Sequence, residues 1–416
     1  MIKKVWCGIA MTAAAMTAQA AAVLPPIEGV TAKARQVHEQ VIVLDSHLDT
    51  PANLPRPGWS ILDNHDQDGA FSQVDLPRMQ RGGLDGGFWV IYTAQGARDA
   101  AANQQARDHA LVRMAAIREM VAANADQFEI ALTADDALRI AQAGKRIVFV
   151  SMENASPLAS DPSLLSVYRQ LGLRMLGITH FANNDFGDSS TDPHGPEWNG
   201  LSPKGKALVA DANRLGILLD ASHASDQVLD QLLELSKVPV VLSHSGAAAV
   251  YDHPRNVSDA RINRVAEKGG VIQVNAYSGY LIATPKIAER EAALQALESR
   301  FGDESALTPQ ALQAWLAEKQ KVELRYPLPR ADLDDYMKHL LHMLEVGGVD
   351  HVGIGADWDG GGGVIGMEDV SVLPLITARL LEAGYGEQDI AKIWGGNLLR
   401  VLAAAEAARE LPEPQE

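Results

Sequence analysis

The chain has 416 residues, which is enough for one large domain or two smaller ones with a substantial core. Its 53 acidic and 36 basic residues give a formal net charge of −17. This balance argues against nucleic-acid binding, because that function requires basic patches. The sequence contains one cysteine, Cys7, so we expect a fold that is stable without disulfide bonds.

The N-terminal segment has the layout of a secretory signal peptide. Two lysines precede an apolar run at residues 5–15, and a small-x-small site that ends at Ala20 follows. We therefore predict that residues 1–20 are a signal peptide and that residues 21–416 form a single domain in the periplasm or outside the cell. The apolar run is short for a membrane span, and an uncleaved N-terminal anchor is the alternative. After cleavage we expect no membrane span.

Eight short runs rich in Val, Ile or Leu recur along the chain, with helical patterns between them. The runs are 41–44, 88–92, 147–150, 174–179, 216–219, 238–242, 270–274 and 352–355. Runs that are apolar throughout are typical of strands buried on both faces of a parallel sheet. Thr133, Ser202 and Ser225 each precede a helical pattern as capping residues. The pattern predicts an α/β fold, a (β/α)8 barrel of the TIM type.

Two stretches do not fit a simple strand–helix unit. Residues 51–75 are long and rich in Pro, Gly, Asn and Asp, which predicts a loop over one mouth of the barrel. Residues 284–330 lie between the seventh and eighth predicted strands and contain two helical patterns. We interpret this second stretch as a helical insertion.

Histidines and carboxylates follow six of the eight predicted strands. They are His47 and Asp49 after the first, Glu153 after the third, His180 after the fourth, His223 after the fifth, His244 after the sixth and Asp357 after the eighth. The C-terminal ends of barrel strands share one mouth, where catalytic residues gather. A lone histidine after a strand is more often structural than functional, but random placement would scatter such residues over both ends.

The residue types at this mouth favour a divalent metal site. His47 and Asp49 are two residues apart, so in an extended chain both side chains point the same way. Imidazole and carboxylate together suit zinc or a similar ion. His223 and His244 could share a second ion, and the two oxygens of Glu153 could bridge both. Two ions about 3.5–4 Å apart can hold a hydroxide between them as a nucleophile.

The other histidines are interpreted as structural or surface residues. Two of them, His339 and His342, have ligand-like spacing but belong to an amphipathic helix before the eighth strand. His351 begins the eighth predicted strand and is expected at the opposite face of the barrel. The remainder are expected in loops or at the surface, namely His38, His65, His109, His194 and His253.

The chain resembles the renal, or membrane, dipeptidase family of zinc peptidases. The matching motifs are DSHLDTP (45–51), VDLPRM (74–79), GLSP (200–203), LGILLDASH (215–223), LSHS (242–245), PRNV (254–257), VGIGADWDG (352–360) and NLLRV (397–401). The resemblance spans nearly the whole chain after the predicted signal peptide. It implies hydrolysis of the peptide bond of dipeptides, two zinc ions per chain and, by analogy, a homodimer.

The resemblance also implies roles for individual residues. His47 and Asp49 resemble the ligands of one zinc, His223 and His244 resemble those of the other, and Glu153 resembles the bridge. His180 matches a histidine that contacts the substrate and steadies the oxyanion. Arg255 matches a substrate-binding arginine, although pairing with Asp252 or Asp259 at the surface is the alternative. Asp357 matches an acidic residue assigned to proton transfer and recognition of the amino end.

Two departures and two competing functions accompany this interpretation. Asn154-Ala155 follow Glu153 where the family often has Gly-Gly, and Leu48 stands where Asn is common. A deaminase or lactonase barrel would usually have His-x-His on the first strand and a lysine at the fourth. A non-catalytic binding protein on the same fold is the other alternative, for which a missing ligand would be the signature.

Overall fold

The computed structural model describes residues 26–66, 72–302 and 309–410. The predicted signal peptide, residues 1–20, lies outside the described residues. None of the helices within these ranges is both long and apolar enough to cross a membrane.

Parallel strands form a nearly closed barrel at the centre of the fold. The strands of the described residues are β1 Leu44–Leu48, β2 Gly86–Tyr92, β3 Phe128–Ile130, β4 Arg146–Glu153, β5 Leu173–Gly177, β6 Leu218–Asp220, β7 Val241–Ala247, β8 Asn256–Val257, β9 Val271–Val274 and β10 Val352–Ile354. The order around the barrel is β1, β2, β4, β5, β6, β7, β9, β10, while β3 pairs with β4 and β8 pairs with β7 off this path. The predicted barrel of eight parallel strands is therefore confirmed.

Helices follow most strands and cover the outside of the barrel. The helices of the described residues are α1 Ala32–Glu39, α2 Leu76–Gly82, α3 Ala100–Ala123, α4 Ala134–Gln142, α5 Leu164–Leu171, α6 Pro203–Leu215, α7 Asp226–Leu235, α8 Asp259–Glu267, α9 Ser278–Leu281, α10 Ala288–Phe301, α11 Pro309–Arg325, α12 Leu333–Gly347, α13 Pro374–Glu382, α14 Glu387–Ala391 and α15 Asn397–Ala407. Thr133, Ser202 and Ser225 cap α4, α6 and α7 as predicted, each accepting a hydrogen bond from a backbone N–H of the first turn.

The predicted helical insertion consists of α10 and α11, which pack against each other between β9 and β10. These are the seventh and eighth strands of the barrel order, so the insertion lies where the sequence places it. The helix that covers this part of the barrel, α12, follows the insertion.

The first barrel strand starts later than predicted, because β1 overlaps the apolar run 41–44 only at Leu44. Its next three residues, Asp45, Ser46 and His47, are polar but buried. Asp45 Oδ1 accepts from the His47 N–H at 2.8 Å and Asp45 Oδ2 accepts from the Ala356 N–H at 2.9 Å. The first bond lies within β1, and the second joins β1 to the segment after β10. A buried polar residue, which a hydropathy pattern does not mark as strand, therefore links the two ends of the barrel.

The prediction that His38 lies at the surface is wrong, because its side chain is fully buried at the end of α1. Its Nε2 lies 2.8 Å from the carbonyl of Gly82, and its Nδ1 lies 2.7 Å from Thr377 Oγ1. The Trp394 N–H donates to the same Thr377 oxygen at 2.8 Å. Both ring nitrogens of a neutral His38 therefore have hydrogen-bond partners, so α1 can bury this polar residue against α2 and α13.

Burial should make stability depend on the charge of His38. Burial lowers the pKa of His38 from 6.5 to about 4. Below pH 6.5 the unfolded chain binds a proton that the folded chain does not, so stability is fully present above that pH and is lost as pH falls towards 4. We expect the unfolding free energy to drop by about 2 kcal/mol more in the wild type than in His38→Gln between pH 7 and 4.5. Urea unfolding of both proteins at both pH values measures this difference, and parallel losses would contradict it.

Candidate metal centre

The structure brings the residues predicted to form the site together at the mouth made by the C-terminal ends of the barrel strands. Three of them belong to strands: His47 lies in β1, Glu153 ends β4 and His244 lies in β7. Three others follow the ends of β5, β6 and β10 by three residues each: His180, His223 and Asp357. All six are buried, with 9% or less of their surface exposed. Asp49 and Arg255 complete the set.

Glu153 occupies the centre of this group. Its Oε2 lies 3.5 Å from His47 Nε2, and its Oε1 lies 3.2 Å from His223 Nε2 and 3.5 Å from His244 Nε2. His47 Nε2 also lies 3.4 Å from Asp49 Oδ2. Each oxygen of the carboxylate therefore faces a different set of imidazoles, which is the arrangement that a bridging ligand requires.

Three overlapping groups of side chains have ligand atoms close enough to hold an ion. They are His47, Glu153 and His244; Glu153, His180 and His223; and His47, Asp49 and Asp357, each with its ligand atoms within 4.8 Å of one another. The predicted pairs, His47 with Asp49 and His223 with His244, are both close in space. The structure also brings His180 and Asp357 within ligand distance, although sequence reasoning gave them other roles.

Unsatisfied buried atoms indicate that a cation fits this centre. His47 Nε2 and Glu153 Oε1 are buried atoms without a hydrogen-bond partner among the described residues. His223 Nε2 and His244 Nε2 point at each other across 2.9 Å. Buried polar atoms in native proteins nearly always have partners, and nitrogen and carboxylate oxygen atoms are the donors that a divalent ion such as zinc accepts.

The electrostatic field of the centre also favours positive charge between His47 and the carboxylates. Burial alone would lower the pKa of His47, but Glu153 and Asp49 raise it well above its usual range. Burial would raise the pKa of Glu153, yet the charges of His47 and His180 lower it well below its usual range. Burial also lowers the pKa of His244 well below its usual range and so favours the neutral imidazole that binds metals.

The backbone around the centre adopts left-handed conformations that most side chains avoid. The φ angles of Asn154, His223 and Asp357 are 68°, 65° and 65°. Such strain concentrates at functional sites. The positive φ at position 154 also explains why Asn154 can stand where the family often has Gly. Asn tolerates positive φ better than most other residues. A Cβ at Gly360 would lie 2.1 Å from Asp49 Oδ2 and 2.3 Å from Asp357 Oδ1, so a larger residue here would displace both carboxylates.

A second layer of polar residues, missed by the sequence reasoning, orients His244. Ser243 Oγ lies 2.8 Å from His244 Nδ1 and donates to Asp220 Oδ2 at 2.5 Å. This arrangement fixes the proton on Nδ1 and leaves His244 Nε2 free for a metal. Asp220 ends β6 and Ser243 lies within β7, so each polar residue directly follows an apolar run, 216–219 or 238–242. A polar residue at the end of a buried strand is the signal that could have revealed them.

Arg255 is buried beside His244 and exposes 3% of its surface. Its Nη2 donates to the carbonyl of His244 at 3.0 Å, and its guanidinium carbon lies 5.1 Å from the ring centroid of Tyr280. Within the described ranges its buried Nε has no hydrogen-bond partner. No carboxylate of the described residues, Asp252 and Asp259 included, forms an ion pair with Arg255, and Asp259 lies beside His342 instead. The alternative of a surface ion pair is therefore wrong, and Arg255 is a buried cation next to the site without a counter-charge among the described residues.

A family model described as membrane dipeptidase, peptidase family M19, matches residues 31–415. The chain belongs to the membrane dipeptidase family. The family and the metal-type centre together make it a metal-dependent dipeptidase, a hydrolase of peptide bonds. This result decides against the deaminase, lactonase and non-catalytic alternatives.

Individual members of the dipeptidase family and solved structures resemble the chain over most of its length. Dipeptidase tcpJ of Claviceps purpurea is 30% identical over 341 residues, which cover 80% of this chain and 69% of that protein. The crystal structure of the probable dipeptidase PvdM from Pseudomonas aeruginosa has a TM-score of 0.77 at 32% identity, covering 90% of this chain and 98% of PvdM. A metallo peptidase from Rhodobacter sphaeroides, liganded with a phosphinate mimic of the dipeptide L-Ala-D-Ala, has a TM-score of 0.69 at 26% identity, covering 88% and 99%.

Proposed function

We propose that this dipeptidase holds two zinc ions, with His47 and Asp49 on one, His223 and His244 on the other and Glu153 between them. The observation that carries the proposal is the position of Glu153, whose two oxygens face His47 on one side and His223 and His244 on the other. The signal peptide predicted for residues 1–20 and export from the cytoplasm belong to the same proposal.

The charges around the mouth suit the two ends of a free dipeptide. Arg255 offers a guanidinium to the C-terminal carboxylate, a pairing that is two-pronged and charge-assisted. Asp357, which follows β10, attracts the ammonium group. A substrate held at both ends places its single peptide bond over the histidines, while a longer peptide does not fit between the charges.

The chain's own residues then bind the carbonyl and move the proton. Bound zinc supplies Lewis acidity and a water of lowered pKa. Tyr92 Oη lies 3.5 Å from His180 Nδ1, and a hydroxyl that donates there leaves the proton of His180 on Nε2. His180 can therefore donate to the carbonyl oxygen as negative charge develops. Asp357 accepts a proton from the attacking water and passes it to the leaving amine.

Arg255→Met tests whether substrate recognition depends on the free carboxylate. We expect kcat/KM for a free dipeptide such as Ala-Ala to fall roughly 10²-fold, mainly through KM, because removing one partner of a buried charge pair leaves the other unpaired. The C-terminally amidated dipeptide, already a poor substrate, should lose little further. Steady-state kinetics on both substrates measure this contrast.

Arg255→Lys is the matched variant, since it keeps the charge but not the two-pronged geometry. We expect an intermediate loss on the free dipeptide. Equal losses on the free and amidated substrates would show that Arg255 does not bind the carboxylate.

A further inference from the structure

An exposed aromatic ring stands at the rim of the metal centre. Phe181, the residue after His180, exposes 50% of its surface. Its ring centroid lies 3.9 Å from that of His180 and 5.2 Å from that of His223. The ring is tilted by 48° against His180 and meets His223 in a T-shaped contact at 73°, and half of its surface stays exposed beside these two imidazoles.

The backbone that carries Phe181 is held in place by the loop after β5. Ser189 Oγ donates to the carbonyl of His180 at 2.5 Å, and Thr191 Oγ1 donates to the carbonyl of Phe181 at 3.1 Å. The Asn183 N–H donates to Asp192 Oδ2 at 2.7 Å. A half-exposed ring on a fixed backbone is a preformed apolar surface, which binds a ligand at a lower entropic cost than a mobile side chain.

The barrel order places Phe181 on the side of the substrate's C-terminal residue. Its strand, β5, is fourth in the barrel order, and β10, which leads to Asp357, is eighth, so the two lie on opposite sides. The ring instead contacts His223, which follows β6, and β6 neighbours the strand β7 that precedes Arg255. A dipeptide bound with its ammonium near Asp357 and its carboxylate at Arg255 has its second side chain nearest to Phe181.

We propose that Phe181 is a specificity-determining residue that forms an apolar wall for the side chain of the C-terminal residue of the dipeptide. The inference rests on the proposed function and extends it to a substrate class, dipeptides with a bulky apolar second residue. Removal of apolar surface from water favours such substrates over those that end in glycine.

The test compares Gly-Leu, Leu-Gly and Gly-Gly as substrates of the zinc-loaded enzyme. Phe181→Ala should lower the ratio of kcat/KM for Gly-Leu to that for Gly-Gly roughly ten-fold, the usual size of a lost apolar contact in a pocket. The ratio for Leu-Gly to Gly-Gly should change much less. Phe181→Leu should keep most of the preference, because it keeps an apolar wall. Leu138→Ala, which removes a 53% exposed leucine from α4, is the matched control and should leave both ratios unchanged.

A ratio measured on one enzyme preparation cancels any change in metal content, so it separates a substrate contact from a merely structural effect on His180 or His223. Equal losses on the three dipeptides, or a larger loss on Leu-Gly than on Gly-Leu, would overturn the proposal for Phe181. A wild-type enzyme that hydrolyses none of the three would overturn the proposed function itself, and that failure is distinguishable from the first.

Discussion

Glu153→Ala is expected to lose bound metal and peptidase activity together. The wild type should purify with about two zinc ions per chain, the number that a bridging carboxylate implies. The variant removes the one residue whose oxygens face both His47 and His223. Turnover should therefore fall by more than the roughly 10²–10⁴-fold that a single general acid–base group contributes. Elemental analysis and dipeptide hydrolysis on the same samples measure both quantities.

Two variants separate the loss of a ligand from a general change in charge or packing. Glu153→Gln keeps the volume of the side chain but not its charge, and it should lose metal nearly as far as the alanine variant. Glu129→Ala removes a carboxylate that pairs with Arg139 and Lys145 at the edge strand β3, and it should keep full metal content. Full activity in a thoroughly demetallated wild type would contradict the proposal of a two-metal site.

The barrel could be predicted because its strands are apolar on both faces. Runs such as 147–150 and 270–274 are buried throughout, so composition alone marks them. β1 is different, because Asp45 and Ser46 replace apolar packing by hydrogen bonds to Ala356 and Ser243, which form only when distant segments meet. The two short strands off the barrel path, β3 and β8, also depend on partners that the sequence does not identify. Local hydropathy thus predicts strands that are buried through apolar residues. It does not predict a strand such as β1, whose buried residues are polar and hydrogen-bonded.

The site could be predicted as a set of residues, but not as a network. Strand ends converge in any barrel, so His47, Glu153 and His244 could be assigned to one mouth from their positions alone. The link from Asp220 through Ser243 to His244 depends on side-chain directions across β6 and β7, which no spacing in the sequence encodes. The burial of His38 was missed for a related reason, since its partners Gly82 and Thr377 are far away in the chain.

Asp357→Asn should keep the metal and lose turnover. Asp357 Oδ1 lies 4.0 Å from His47 Nε2, farther than the Asp49 oxygen at 3.4 Å, so the side chain borders the centre without being one of its nearest groups. The substitution removes the proton carrier but preserves shape, and Asn tolerates the φ of 65° at this position. We expect a fall in kcat of about 10²-fold or more with zinc content near that of the wild type. Single-turnover kinetics measure the rate of hydrolysis, and elemental analysis measures the zinc content.

Asp359→Asn provides the matched control, because Asp359 has a φ of 64° in the same loop. Its carboxylate accepts from Thr50 Oγ1 at 2.7 Å and from the Gln73 N–H at 2.5 Å, so it is engaged in loop structure rather than in proton transfer. A much smaller loss in Asp359→Asn would attribute the effect at position 357 to the carboxylate at the site and not to the shared backbone conformation. Unchanged kcat in Asp357→Asn, with a raised KM for dipeptides alone, would limit Asp357 to binding of the ammonium group and exclude it from proton transfer.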